Sequence, residues 1–376
     1  MAGVMLRRCL LVTAVLVVVA AGPGGATAFT GSVTPAPRVS LSRGAVPAAA
    51  GVVTRPYWAD GYAWADQPTS ASYAPNPTYA FNRTGGAIEI TKPAGTTGRY
   101  LVRFTGLSTL LGSKSTVRVT AYFTSDGYCE PVGARLANDV VEVRCFGSSS
   151  GAPLDTYFTV LVTRIYADLA FAYAHQPTGN NYNPMGNASW NPGGATKVYR
   201  TGVGTYQVLF KGLGALLQGT GGHAQVGAVG TAQLHCKTVR WSSAPDILVE
   251  VNCFTAAGAP ADSKFTVLFL TPTDHLTYAF ADQPTATSSY TPSPFYSSNP
   301  TGGAISVTRP SLGRYTVSWT GVDPTIFDGG DVQVTAYGTG NVQCKVEGWG
   351  AASATVRCFS PGGLLRDSLF VVLLGS

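Results

Sequence analysis

Charged side chains are scarce in this 376-residue chain, since Asp, Glu, Lys and Arg together make up only 12% of it. The basic residues stand singly, without the run or stripe that would neutralise a row of phosphates, which argues against a nucleic-acid partner. No C-x-x-C pair is present, and no cysteine group has zinc-ligand spacing. We therefore expect no metal and no cofactor.

Long apolar runs are also missing, except near the N-terminus. Arg7 and Arg8, the short apolar run Leu10–Ala21 and the small residues Ala26–Ala28 have the order of an export signal over residues 1–28. Removing it leaves 25 − 2 = 23 basic and 19 acidic residues, a net charge of +4. Residues 29–56 are rich in Ala, Pro and Ser and predict a flexible leader. We expect a secreted, extracellular protein without a membrane span after signal removal.

The familiar catalytic patterns are absent as well. The four histidines do not recur between equivalent positions, and the five glutamates are scattered. Asp155, Asp262 and Asp367 do recur before a strand, where an Asp is typical of a capped turn. The acidic loop Asp323–Asp331 has no acidic counterpart elsewhere and is interpreted as a solvated turn. We predict no catalytic residue.

What the chain does contain is a phrase that occurs three times: YAWADQP, FAYAHQP and YAFADQP. Its glutamines, Gln67, Gln176 and Gln283, are 109 and 107 residues apart, and the later cysteines follow nearly the same spacing. A shared period in independent marks indicates three copies of one domain. The predicted boundaries are repeat 1 at 57–166, repeat 2 at 167–274 and repeat 3 at 275–376.

Within each copy, short segments alternate between apolar and polar residues. In GRYLVRF, for example, Tyr100, Val102 and Phe104 share one face. Such alternation, with Gly and Pro turns about every ten residues, predicts half-buried strands in an all-β fold of three tandem antiparallel β-sandwiches. The connections between copies are only a few residues long, so we expect the domains to follow one another like beads in a rod.

Six cysteines remain after the export signal, an even number typical of disulfides in an exported chain. The second cysteine of each copy lies on the apolar face of a strand, and the first precedes it by 14 to 17 residues. The simplest connectivity is one bridge within each copy. The predicted bridges are Cys129–Cys145, Cys236–Cys253 and Cys344–Cys358.

Aromatic residues offer the best candidates for a binding surface. Trp241 and Trp349 each lie five residues after the first cysteine of a pair, and this odd spacing predicts that they face outwards. Rings beside Asn and Ser side chains are typical of a sugar-binding platform; the alternative is that they cover the sandwich ends or fill the joints between copies. The further candidates in the amide-rich segments are Tyr73, Tyr182, Tyr290 and Trp190.

The segment GGDVQVTAYGTGNVQCKVEGWG, with ATVRCFSPGGLLRDSLFVVLL after it, resembles uncharacterised secreted actinobacterial proteins built from tandem cysteine-paired β-domains. The similarity spans residues 57–376, although repeat 2 departs at AQVGAVG and repeat 1 has Glu130-Pro131 after its cysteine. The resemblance implies export and a tandem architecture. It implies no activity and no catalytic residue.

These observations favour a secreted, non-catalytic binding or surface-display protein whose ligand is a glycan, a cell-wall polymer or a protein partner. The alternatives are a purely structural or protein-interaction rod and a secreted hydrolase. The binding hypothesis predicts that Trp241 and Trp349 are more than half exposed. The structural hypothesis predicts that the aromatic residues are buried at the joints, and the hydrolase hypothesis predicts a polar cleft with titratable groups close together.

Overall fold

The computed structural model describes residues 59–112, 114–272, 276–322, 330–350 and 352–375. Within these ranges the chain is all-β, with strands joined by turns, one short α-helix and single turns of 3-10 helix. The all-β prediction is confirmed. The predicted export signal and leader, most of the acidic loop and His275 lie outside the described residues, and the predicted repeat boundaries stay predictions.

Repeat 1 forms two antiparallel sheets and the helix α1 (Leu107–Leu111). Its strands are β1 (Gly61–Ala65), β2 (Ser72–Tyr73), β3 (Ala80–Asn82), β4 (Ile88–Thr91), β5 (Arg99–Phe104), β6 (Ser115–Ala121), β7 (Gly127–Pro131), β8 (Val140–Gly147) and β9 (Phe158–Arg164). The inner sheet has the order β3-β1-β9-β6, and the outer sheet has the order β2-β4-β5-β8-β7.

Repeat 2 has the same plan. Its strands are β10 (Leu169–Ala174), β11 (Asn181–Tyr182), β12 (Thr196–Gly202), β13 (Thr205–Phe210), β14 (His223–Ala228), β15 (Leu234–Trp241), β16 (Ile247–Thr255) and β17 (Phe265–Leu270). The inner sheet has the order β10-β17-β14 and the outer sheet β11-β12-β13-β16-β15. The 3-10 turns of this repeat are Gly186–Ala188 and Leu213–Leu216.

Repeat 3 repeats the plan once more. Its strands are β18 (Leu276–Ala281), β19 (Ile305–Ser311), β20 (Arg314–Trp319), β21 (Asp331–Ala336), β22 (Gln343–Gly350), β23 (Ser353–Phe359) and β24 (Phe370–Gly375). The inner sheet has the order β18-β24-β21 and the outer sheet β19-β20-β23-β22. Repeats 1 and 3 each also have one 3-10 turn, at Pro77–Tyr79 and Pro294–Tyr296.

In each repeat the two sheets bury their apolar faces against each other. In repeat 1 the core joins Val117 and Val160 of the inner sheet to Val102 and Val143 of the outer sheet. This burial follows from the alternation of the strands, because residues two apart lie on the same face. The three predicted disulfides are present, one in each repeat, so the sandwich prediction and the cysteine pairing are confirmed.

The repeated phrase is explained by its main-chain contacts. The Tyr206 hydroxyl donates to Pro177 O at 2.8 Å, and Asp262 Oδ1 lies 3.0 Å from the same hydroxyl. Asp262 Oδ1 also accepts from the Gly204 amide at 2.9 Å. Each repeat therefore ties its phrase, a core strand and the turn before its last strand together, and the recurrent Asp accepts from the turn before the core strand instead of capping its own turn. The equivalent sets are Pro68, Tyr100, Asp155 and Pro284, Tyr315, Asp367.

The repeats close into a ring. The Gly230 amide of repeat 2 donates to Pro131 O of repeat 1 at 2.9 Å. The Gly338 amide of repeat 3 donates to Thr238 O of repeat 2 at 3.0 Å. The Phe123 amide of repeat 1 donates to Val346 O of repeat 3 at 3.0 Å. These amides occupy equivalent positions, and each acceptor lies two residues after the first cysteine of its repeat. We call the contact between repeats 1 and 2 joint 1-2, the contact between repeats 2 and 3 joint 2-3, and the contact between repeats 3 and 1 joint 3-1. The predicted rod is wrong, because repeat 3 packs against repeat 1.

The inner sheets meet one another in the middle of this ring, around a pseudo-threefold axis. One apolar cluster there takes residues from all three repeats, among them Leu161, Leu268 and Leu373 of the central strands. The second face of each inner sheet is thus buried as well, which a free sandwich would leave in water. No helix among the described residues is long and apolar enough to cross a membrane.

Candidate functional site

The predicted outward orientation of the two tryptophans is wrong. Trp241 is only 8% exposed, and Trp349 is partly buried. In both strands the pairing register shifts before the tryptophan, between Thr238 and Arg240 and between Val346 and Gly348. A β-bulge adds one residue and so reverses the alternation, which turns the ring towards the core side instead of solvent.

At joint 2-3, Trp241 of repeat 2 inserts among aromatic rings of repeat 3. Its ring centroid lies 6.2 Å from Phe280, 5.4 Å from Tyr296 and 5.6 Å from Tyr337. Its indole N–H donates to Gly221 O at 2.7 Å. The residue therefore fills a joint between copies, as the structural alternative predicts.

Joint 3-1 has the same construction. Trp349 of repeat 3 lies 5.8 Å from Trp64, 5.4 Å from Tyr79 and 5.0 Å from Tyr122, all in repeat 1. Every contact is edge-to-face, the arrangement that aromatic quadrupoles favour. Neither tryptophan is the more-than-half-exposed platform that the binding hypothesis requires.

Joint 1-2 has small side chains at the equivalent positions. Ala134 stands where Trp241 and Trp349 stand, and it packs with Ala188, Val229 and the partly buried Tyr173. The main-chain hydrogen bond across this joint is nevertheless the same as at the other two. The three joints share one backbone geometry and differ in the volume of their side chains.

The other predicted binding residues also have internal partners. The hydroxyls of Tyr73, Tyr182 and Tyr290 accept hydrogen bonds from the main-chain N–H of the phrase glutamines at 3.2 to 3.3 Å. The Trp190 indole donates to Tyr166 O at 2.9 Å, and Lys114 Nζ lies 5.3 Å from its ring centroid. The structure thus disperses the six predicted residues instead of gathering them on one surface.

A buried polar cluster lies between the inner sheets, on the faces turned away from the sandwich cores. Thr120 Oγ1 donates to Gln333 Oε1 at 2.6 Å, and the amide of Gln333 donates to Asp331 at 2.8 Å and to Thr159 at 3.0 Å. Burial raises the pKa of Asp331 to about 7. Hydrogen bonds between repeats 1 and 3 thereby satisfy groups that would be costly to bury alone.

Next to this cluster the three repeats line a cavity of about 70 Å³, here called the axial cavity. Each repeat contributes equivalent segments to its wall: the end of β6, β14 or β21 and the start of β7, β15 or β22. The residue after the first cysteine lines it in every repeat, as Glu130, Lys237 and Lys345. Each of these three is at most 3% exposed.

Arg118 adds a third cation to this wall and is also 3% exposed. Its guanidinium donates to Val226 O at 2.8 Å and to Thr335 Oγ1 at 3.1 Å, while Nε has no hydrogen-bond partner among the described residues. Gly227 makes room for it, since a Cβ there would lie 2.7 Å from Arg118 Nη1. Repeat 2 departs from the other copies at AQVGAVG, and the glycine of this segment leaves space for Arg118 of repeat 1.

The charges around the axial cavity do not neutralise one another. In the described part of the chain, Glu130 forms no ion pair and its Oε1 has no hydrogen-bond partner, and Lys237 forms no ion pair. Lys345 Nζ donates to Ser125 Oγ at 3.0 Å. A buried cation without a counter-charge is costly, and an anion in the cavity would offset that cost.

Burial sets the protonation of these groups. It lowers the pKa of Lys237 and of Lys345 to about 7 and that of Arg118 to about 9, because the charged form loses its hydration. Burial raises the pKa of Glu130 well above its ordinary value. Near neutral pH the cavity wall is therefore cationic, and burial favours the uncharged form of its carboxyl.

The residues just before the first cysteines, among them His235 and Gln343, also line the axial cavity. His235 Nδ1 lies 3.2 Å from the Gln343 amide nitrogen, its Nε2 lies 3.2 Å from Asn341 O, and its ring packs on Phe254. Burial lowers the pKa of His235 to about 4. The imidazole is thus neutral, and its hydrogen bonds occupy both ring nitrogens.

The axial cavity adjoins a wider depression, here called the vestibule, through the shared wall residue Ser148. The vestibule has a volume of about 610 Å³ and is formed by the turns after the second cysteines. Its wall contains the exposed polar residues Ser149 and Gln233. The side chains of both lack hydrogen bonds to other described residues.

Reasoning from the sequence missed all of these cavity residues. One signal was available, because a charged residue follows the first cysteine in every repeat although the next residues alternate like a strand. In an isolated sandwich that face is solvated, so a single Lys or Glu there attracts no attention. Only the ring turns it inwards.

We compared the chain with protein-family models, curated proteins and solved structures, and none of the three comparisons found a match. The resemblance to secreted actinobacterial proteins therefore stays a prediction. The candidate site rests on the geometry alone. Among the described residues no group of three or more His, Cys, Asp or Glu side chains could hold a metal ion.

Proposed function

We propose that the protein is a non-catalytic extracellular binding protein and that the axial cavity accepts a small anionic group. The observation that supports this most directly is the convergence of Arg118, Lys237 and Lys345 on one cavity. Arg118, Lys237 and Lys345 come from repeats 1, 2 and 3, so the three cations lie around one cavity only in the closed ring. Charge-assisted hydrogen bonds to a carboxylate, sulfate or phosphate would satisfy donors that the protein leaves open.

Isothermal titration calorimetry with acetate, sulfate and inorganic phosphate tests this proposal. Binding of one anion per chain is expected, and Lys237→Met should abolish it, because Met keeps the length of the side chain without its charge. Lys211→Met is the matched control, since Lys211 is exposed and lies outside the cavity wall. Equal heats for Lys237→Met and the unchanged protein would contradict the proposal.

A purely structural ring is the second candidate. The buried aromatic residues at joints 2-3 and 3-1 favour it, since they stabilise the assembly and present no platform. It predicts no anion binding and higher stability for Lys237→Met than for the unchanged protein, because the variant no longer buries an unpaired amine. Anion binding by the unchanged protein separates the two candidates, because only the binding proposal expects it.

Hydrolase chemistry would need a nucleophile and a base within hydrogen-bond reach. Glu130 and Lys237 both line the axial cavity, but in the described part of the chain they form no ion pair with each other. His235 already uses both ring nitrogens. We therefore rank binding above catalysis for this cavity.

A further inference from the structure

The vestibule indicates what carries the anionic group. A volume of about 70 Å³ has room for a few water molecules, hence for a carboxylate, sulfate or phosphate group. The vestibule offers about 610 Å³ more, within the range typical of small-ligand sites. A ligand that uses both spaces has a small charged end and a larger body.

The wall of the vestibule has no charged side chain and combines polar with apolar residues. It consists of serines, a threonine, a glutamine, glycines, alanines and a proline. Hydroxyl and amide groups donate and accept, so they suit a ligand surface that does both. An array of ligand hydroxyls has this property, whereas an acyl chain or an aromatic ring does not.

The free groups lie where such hydroxyls could reach them. Ser149 and Gln233 are exposed, come from repeats 1 and 2, and keep their side-chain groups unbonded within the described residues. The main-chain amide of Ser149 is held by Asp126 at 2.8 Å, which fixes the turn. The vestibule is therefore a preformed surface with unused donors and acceptors.

We propose that the ligand is an acidic sugar, with its anionic group in the axial cavity and its hydroxyl-bearing ring in the vestibule. This inference rests on the proposed function, and it adds the chemical class of the ligand. The carboxylate of a uronic acid and the phosphate of a sugar phosphate share the required chemistry. The polymer ends or repeating units of an acidic extracellular glycan would supply either.

Titration of the disulfide-bonded protein with matched pairs tests the inference. The pairs are glucuronate against acetate and glucose 6-phosphate against inorganic phosphate, with glucose as the uncharged control. One acidic sugar should bind at least tenfold more tightly than its simple anion, and glucose should not bind. Equal affinities within both pairs would overturn the inference but leave anion binding intact.

Two variants locate the parts of the site. The double variant Ser149→Ala/Gln233→Ala should lower the affinity for the acidic sugar about fivefold or more and leave that for the simple anion unchanged. Lys237→Met, or Lys345→Met if the first variant folds poorly, should abolish binding of both. Full sugar affinity in the double variant would overturn the role of the vestibule. Absence of binding by sugars and simple anions alike would overturn the proposed function as well.

Discussion

Strand β7 of repeat 1 and the residues after it differ from β15 and β22 at two positions that affect the axial cavity and the joints. Strand β7 has Glu130 where they have Lys237 and Lys345, and Ala134 follows it where they end near Trp241 and Trp349. The first difference changes the charge of the axial cavity, and the second changes the volume of a joint. One strand per repeat thus serves both assembly and the candidate site.

The residues that surround Ala134 differ from those that surround Trp241 and Trp349. At joint 1-2, Ala188 and Val229 replace the tyrosines that surround each tryptophan at the other joints. The same main-chain hydrogen bond holds the backbones in place at all three joints. A large side chain on one side therefore needs a space of matching size between the residues of the other side, and a small side chain needs small partners. Joints are therefore matched pairs of surfaces.

The largest expected effect comes from emptying an aromatic joint. Trp241→Ala should lower the free energy of unfolding by about 3–5 kcal/mol, because it leaves a cavity and deletes the bond to Gly221. Denaturant unfolding monitored by circular dichroism measures this. Leu312 in the turn between β19 and β20, which is 51% exposed, supplies the control Leu312→Ala, and an equal loss in both variants would contradict the joint assignment.

Overfilling the small joint should have a somewhat smaller effect. Ala134→Trp should destabilise the protein by about 1–3 kcal/mol, since Ala188 and Val229 leave no cage for an indole. The same denaturant titration applies, with Ala134→Ser as the size-matched control. An unchanged midpoint in Ala134→Trp would show that the joints are not volume-matched.

The two lysines of the axial cavity predict that the affinity for anions depends on pH. Lys237 and Lys345 have pKa values of about 7, so they are cationic below that pH and lose their protons above it. Anion affinity should therefore fall at least tenfold from pH 6 to pH 9, while Arg118 remains cationic over most of this range and His235 stays neutral. Calorimetric titrations at a series of pH values measure the effect, and a rise in affinity with pH would contradict it.

The smallest effect should follow Glu130→Gln. Burial raises the pKa of Glu130 well above its ordinary value and so favours the uncharged carboxyl, for which the amide is a close substitute. Anion affinity should change by less than about threefold, or about 0.6 kcal/mol. If the variant bound anions far more tightly at pH 7, Glu130 would have to be ionised in the unchanged protein.

Much of the fold could be predicted from local patterns. Alternation in GRYLVRF and the cysteine on the apolar side of VVEVRCF indicate strands and a bridge, because burial within one sandwich depends on neighbours two residues away. The orientation of Trp241 could not be predicted, since a bulge in its strand shifts the alternation by one residue. Arg118 and Lys237 look like solvated residues until three domains meet around them.

Closure of the ring within one polypeptide has a consequence for composition. An assembly of three identical chains would place three copies of each residue around its axis, so Arg118 would face two further arginines. Here the equivalent positions hold Arg118, Gln225 and Gln333, and Thr335 accepts from Arg118 and donates to Gln225. Covalent linkage fixes the stoichiometry at one of each and makes every joint intramolecular, so the ring cannot dissociate on dilution. A single asymmetric site per molecule follows from a symmetric backbone.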